Sequence, residues 1–206
     1  MNKLYTMIFT ALMLSVVAPM ATAQSNRFAN GTEGTDFWFS FPVSYPEQGG
    51  NSSLKIYVAC EVSAQCTLEI PGLGLKQVKT TKPGDIIDFI LSPGQGQPYE
   101  SNGMPGSAKS EDESFTDGKG RGIHVYADVP IIVYGVSRYI YTSDSFIALP
   151  VSSLGSEYIV ASYADLTGGA FSGLHLPSQT VIIAAYDSTE ISFTLGGSAG
   201  TRTVGG

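Results

Sequence analysis

The sequence predicts an all-β domain, β-sandwich-like and built of short antiparallel strands and hairpins. Three observations point there. Apolar residues recur at every second position in several short runs, and strong turn signals separate those runs. Charged residues make up only 14% of the chain, which carries 24 glycines, 11 prolines and 11 tyrosines. Period-two patterning marks a strand with one face buried. Frequent glycine and proline break any helix long enough to compete.

The first segment stands apart from that pattern. Lys3 precedes an apolar run from Met7 to Met20, and the small residues Ala21 and Ala23 follow. This is the layout of a secretory signal peptide over residues 1–23, cleaved after Ala23. The run is too short and too poorly flanked for a lasting membrane span, so no membrane insertion is expected after cleavage. Gln24, not a cysteine, directly follows the cleavage site, which argues against a bacterial lipid anchor. One domain is expected over residues 24–206, secreted or held at the cell surface. The full chain carries a net charge of −7, and losing Lys3 with the leader makes it one unit more acidic. Such a chain has no electrostatic footprint for nucleic acid or anionic membranes.

"GTDFWFSFP" (34–42) reads as the entry strand. Alternation puts Phe37, Phe39 and Phe41 on one face and Asp36, Trp38 and Ser40 on the other. The three phenylalanines belong to the core, each stabilising by about 2 kcal/mol when buried. Trp38 is the weak candidate for ligand binding. Asp36 and Ser40 either offer its indole N–H a partner within the fold or border a shallow site.

In "SLKIYVAC", Leu54, Ile56, Val58 and Cys60 share a face; in "CTLEI", Cys66, Leu68 and Ile70 do, while Thr67 and Glu69 point away. The five-residue link "EVSAQ" predicts a hairpin between the two strands. In an oxidising compartment, Cys60 and Cys66 are then expected to form a disulfide, stabilising by roughly 2 kcal/mol. Further strands are expected at "IIDFIL", at "RGIHVYA" (121–127) and "PIIVYGVSRYIY" (130–141) flanking Asp128-Val129, and at "TSDSFIALP", "SEYIVASY" and "QTVIIAAYDSTEISFTL".

A gapless shift of 125 residues lays Ile56, Val58 and Cys60 on Val181, Ile183 and Ala185, and Cys66, Leu68 and Ile70 on Ile191, Phe193 and Leu195. This predicts an internal repeat of the hairpin pattern. Ala185 and Ile191 at the cysteine positions mark these as inward structural sites. The first copy continues through further strands where the second stops at "TRTVGG", so a longer protein is expected.

The stretch from Ser92 to Gly120 is long, polar and rich in Gly, Pro and Ser, which predicts a functional or solvated loop. Glu111, Asp112, Glu113 and Asp117 are weak calcium candidates. Their spacing fits no EF-hand, and a solvated acidic loop is the preferred reading.

No catalytic constellation stands out. The chain has two histidines; His124 falls on the strand face opposite Ile123 and Val125, and His175 lies in "GLHLP". Neither has a histidine at zinc-ligand spacing. "GVSRY" (135–139) places Tyr139 where a nucleophile elbow needs its second glycine. No phosphate-cradling loop is present. A glycosidase-type carboxylate pair assembled by the fold would leave no mark in sequence. The expectation is a protein without catalytic residues or cofactor. Asn30-Gly31-Thr32 and Asn51-Ser52-Ser53 match the N-glycosylation acceptor pattern.

"GTDFWFSFP", "GIHVYADVPIIVYG" and "TSDSFIALPVSSLGSEYIVASY", in this order from Gly34 to Tyr163, resemble the N-terminal domain of IgGFc-binding protein and its bacterial relatives. The matching features are the Gly-Thr-Asp-Phe-Trp entry strand, the Asp-x-Pro-Ile-x-Val-Tyr-Gly stretch, the Ala-Leu-Pro stretch and the Leu-Gly-x-Glu-Tyr segment. The resemblance implies an extracellular binding or adhesion module whose partner is a protein or glycan. Binding to the Fc part of IgG does not transfer with it, since membership identifies no partner. The alternative is a structural spacer or assembly domain of a longer surface protein. A carbohydrate-active enzyme, or its accessory domain, comes third.

Overall fold

The computed structural model describes residues 31–42, 53–100, 113–114, 120–139, 143–162 and 180–194. The expected signal peptide, Asn30, Asn51, Glu111, Asp112, Asp117 and His175 lie outside them. The strands are β1 (Glu33–Phe39), β2 (Ser53–Ala59), β3 (Gln65–Ile70), β4 (Leu75–Thr80), β5 (Ile86–Leu91), β6 (Tyr99–Glu100), β7 (Glu113–Ser114), β8 (Ile123–Arg138) and β9 (Asp144–Ile147). The class is all-β. Seven strands form one antiparallel sheet curled into a half-barrel, where the sequence predicts a sandwich.

The 16-residue β8 organises the sheet. Its first half runs between β1 and β3, its second between β2 and β9; β4 extends the sheet beyond β3, and β5 extends it beyond β2. Between the two halves the register breaks. β1 advances from Gly34 to Asp36 while β8 covers Tyr126 to Ile131. Pro130, which has no N–H to give a ladder, sits inside this irregularity. The Asp128 carboxylate accepts from Gln65 N–H at 2.8 Å and supplies a side-chain partner beside it. The two strands expected on either side of Asp128-Val129 are thus one strand bent between them.

The same strand overturns the expected hairpin. β2 and β3 do not pair with each other: both run antiparallel to β8, β2 along Ile132–Arg138 and β3 along His124–Ala127, so they follow one another in the same direction along it. Cys60, just after β2, and Cys66, in β3, therefore do not face each other across a hairpin, and they are free thiols, not the expected disulfide. Cys60 Sγ donates to Pro130 O at 3.4 Å, and Cys66 is fully buried.

The concave side holds the core. Phe37, Phe41, Leu54, Ile56, Leu68, Phe89 and Ile123 are fully buried, as the alternation predicts for β1, β2 and β3. Phe146 of β9 meets Phe39 and Phe41 edge-on, with ring centroids 5.7 and 5.3 Å away. Gly135, paired with Phe146, leaves room for it: a Cβ there would lie 2.4 Å from the ring. Gly34 makes a similar close approach, its Cβ position only 2.3 Å from Pro150. Ser153 Oγ donates to Gly31 O at 2.9 Å. The Gly-Thr-Asp-Phe-Trp and Ala-Leu-Pro stretches therefore pack on each other.

The long stretch after β5 begins with a one-turn helix (Pro93–Gly96), and β6 and β7 pair within it. Ser40 Oγ and Phe41 N–H both donate to Gly96 O, tying this turn to β1. Two expected strands are not formed. Residues 155–162 make no ladder, and Tyr158 (63%) and Ile159 (102%) are exposed. Residues 180–186 alternate between partial and full exposure but belong to no strand, so the second copy of the expected repeat is not a paired hairpin here. Among the described residues no helix is long and apolar enough to cross a membrane.

Candidate functional site

Because Phe37, Phe39, Ile123, Val125, Leu68 and Ile70 face the core, the residues between them face outward. The ladders then set those outward residues in rows. Trp38 pairs with His124, His124 with Glu69, and Glu69 with Lys76, a row crossing β1, β8, β3 and β4. The adjacent row is Asp36, Tyr126, Thr67 and Val78. Cross-strand neighbours on one sheet face are close enough to interact, and here they do so along both rows and the diagonals.

The Trp38 and His124 rings stack in parallel, with centroids 4.2 Å apart and planes 8° apart. The His124 ring also leans against Tyr126 at 4.8 Å. His124 Nε2 lies 2.8 Å from Asp36 Oδ1, which fixes the imidazole between a carboxylate and two aromatic rings. Tyr126 O–H donates to Glu69 Oε1 at 2.9 Å. Lys76 Nζ reaches the same oxygen at 2.7 Å and the tyrosine hydroxyl at 3.3 Å. Hydrogen bonds from Lys76 and Tyr126 hold the Glu69 carboxyl below its ordinary pKa. The same bonds, seen from the other side, raise the pKa of Lys76. The result is a continuous outer surface of aromatic faces and fixed polar groups running from Asp36 to Lys76.

Trp38 is partly exposed on this surface, not buried. Gly122 is the outward position just before β8, two residues from His124, and a Cβ there would lie 3.7 Å from Cε3 and Cζ3 of the indole. Ile183 Cγ2 is 4.0 Å from the same point. The structure therefore places Trp38, the ligand-binding candidate read from the sequence, among Asp36, His124, Tyr126, Glu69 and Lys76. Alternation already puts Glu69 and His124 outward. Their meeting with Trp38 depends on long-range strand order, which leaves no local signal.

A second outer surface covers the other half of the sheet. Tyr57 pairs with Tyr134, and Tyr134 with Ile147. Together with Ile86, Val136 and Ser145 they line a shallow groove, where Ile86 is 67% exposed. Asp88 at its edge is flanked by Lys55 at 3.9 Å and Lys79 at 3.8 Å. Among the described residues no group of three His, Cys, Asp or Glu side chains is placed to hold a metal ion.

No family model matches the chain, and neither a curated protein nor a solved structure matches it.

Proposed function

We propose that this chain is a secreted or cell-surface recognition module without catalytic activity, binding an extracellular protein or glycan. The observation that carries this reading is the row Trp38–His124–Glu69–Lys76, which spends aromatic surface and pre-set hydrogen-bonding groups on the solvent side of the sheet. A core needs none of them there. His124, the described residue best suited to proton transfer, has Nε2 committed to Asp36 and its ring stacked on Trp38. That is the setting of a held side chain. Rigid aromatic anchors surrounded by ordered polar groups suit recognition, because little side-chain freedom is lost on binding. The resemblance to the IgGFc-binding N-terminal domain points to the same adhesive role.

The test is a glycan array and a pull-down from extracellular fluid, run with the leaderless chain and with His124→Ala and Lys76→Ala. The reading predicts ligand capture that both substitutions weaken. Capture of nothing, or turnover of a captured glycan, would overturn it.

A second reading, a spacer or assembly domain of a longer surface protein, is favoured by a different observation. Residues 155–162 and 180–194 expose apolar side chains in strand-like sequence without a ladder. Such segments pair readily with other strand edges. Concentration-dependent association, with no ligand found, would favour it.

A further inference from the structure

We propose that the exposed part of Trp38 is a stacking subsite for the pyranose ring of a neutral glycan, with Asp36 as an acceptor for its hydroxyls. This rests on the recognition reading above and narrows it to one ligand chemistry.

One side of the indole is used by His124. β1 pairs with β8 alone, so among the described residues no neighbouring strand flanks the ring on the other side. Its benzo ring looks over Gly122, the position where any other residue would set a side chain against it. An apolar, flat, accessible surface of this size suits the C–H face of a sugar ring. The polar groups around it suit the ring's hydroxyls. His124 bonds to Oδ1 of Asp36, and both Tyr126 and Lys76 bond to Oε1 of Glu69. The second oxygen of Asp36, on β1 beside the indole, is then the acceptor that a hydroxyl would use, and charged acceptors form the stronger hydrogen bonds.

Charge selects among glycans. The two carboxylates stand against a single lysine, already paired with Glu69, on a chain of net charge −7. A uronate or sulfated sugar would meet like charge at this surface, whereas a neutral ring would not.

The chain has one tryptophan, so its fluorescence reports this subsite alone. The experiment titrates the leaderless chain with neutral hexasaccharides (cellohexaose, mannohexaose, chitohexaose) and with hexagalacturonate as the anionic probe. Calorimetry repeats the measurement on Trp38→Ala and Gly122→Val. The valine enters at ordinary van der Waals distance from the indole and is expected to leave the fold intact, which circular dichroism checks. The expected result is a saturable change in tryptophan emission with at least one neutral hexamer and none with hexagalacturonate. Both variants should bind at least about tenfold more weakly, the loss of one stacking contact. If the array still gives a glycan ligand but both variants bind it as the parent does, the subsite is wrong and the recognition reading stands. Tighter binding of hexagalacturonate, or no binding of any neutral hexamer while a protein is captured, overturns the glycan assignment. If nothing is bound in any format, both fall.

Discussion

Trp38 and His124 are directly paired residues on β1 and β8, and their rings stack at 4.2 Å with planes 8° apart. An aromatic pair of this kind adds about 1 kcal/mol beyond the area it buries. Trp38→Ala and His124→Ala should each lower stability in urea, and the double variant should lose less than their sum by about 1 kcal/mol. Additive losses would show that the stack does not persist in solution. Acrylamide should quench the indole to an intermediate degree, in line with its partial exposure.

Gly135 is opposite Phe146, and its missing side chain is what admits the ring into the core. Gly135→Ala should cost about 1–3 kcal/mol, the usual range for overpacking. Adding Phe146→Leu should recover part of that loss in the same unfolding assay. An alanine that is neutral at position 135 would contradict the β8–β9 register.

The two cysteines should differ sharply in reactivity. Burial, reinforced by Cys60 and Asp128, pushes the Cys66 thiol up to about 11, so it is a thiol and inert near neutral pH. Cys60 is only partly buried. Under native conditions iodoacetamide should alkylate Cys60 alone, with Cys66 reacting only in denaturant, as read by intact mass. A chain that takes up no reagent until it is reduced would contradict the free thiols.

The Glu69–Lys76 pair should leave a pH signature. Glu69 is held below its ordinary value of 4.5, so its contribution is present above that pH and is lost as pH falls through the lowered folded-state value. Lys76 is raised above 10.5, so its contribution is present below that pH and is lost as pH rises through the raised value. The difference in Tm between the parent and Glu69→Gln should therefore be flat across neutral pH and shrink in acid. Salt should shrink it everywhere, since the pair is partly exposed to solvent. A difference that grows in acid would contradict the assignment.

Local pattern made much of this molecule legible. Alternation alone assigns Phe37, Phe39 and Phe41 to the core and Trp38 to the other face. It does the same for Ile123 and Val125 against His124, because burial of one sheet face is written every second residue. Pairing partners are not written locally. The five-residue "EVSAQ" link looks like a hairpin loop, yet β2 and β3 both run antiparallel to β8, more than fifty residues later in the chain, and so follow one another along it instead of pairing. Asp128-Val129 reads as a break between strands, with Pro130 opening the second, whereas β8 runs through all three and its register irregularity accommodates the missing N–H of Pro130. For the same reason Glu69 and His124 could be placed outward but not beside Trp38. Their rows exist only after β1, β3 and β4 have taken their places around β8.

The most direct test of the outer face as a recognition surface is an amide and indole NMR spectrum of the leaderless chain, recorded with and without the glycan or protein captured in the binding screens. The single indole N–H resonance of Trp38 should shift on binding, together with the amides of Asp36, Glu69, Lys76, His124 and Tyr126. Shifts confined to Tyr57, Tyr134 and Ile147, with the indole resonance unmoved, would place recognition on the other half of the sheet and contradict it.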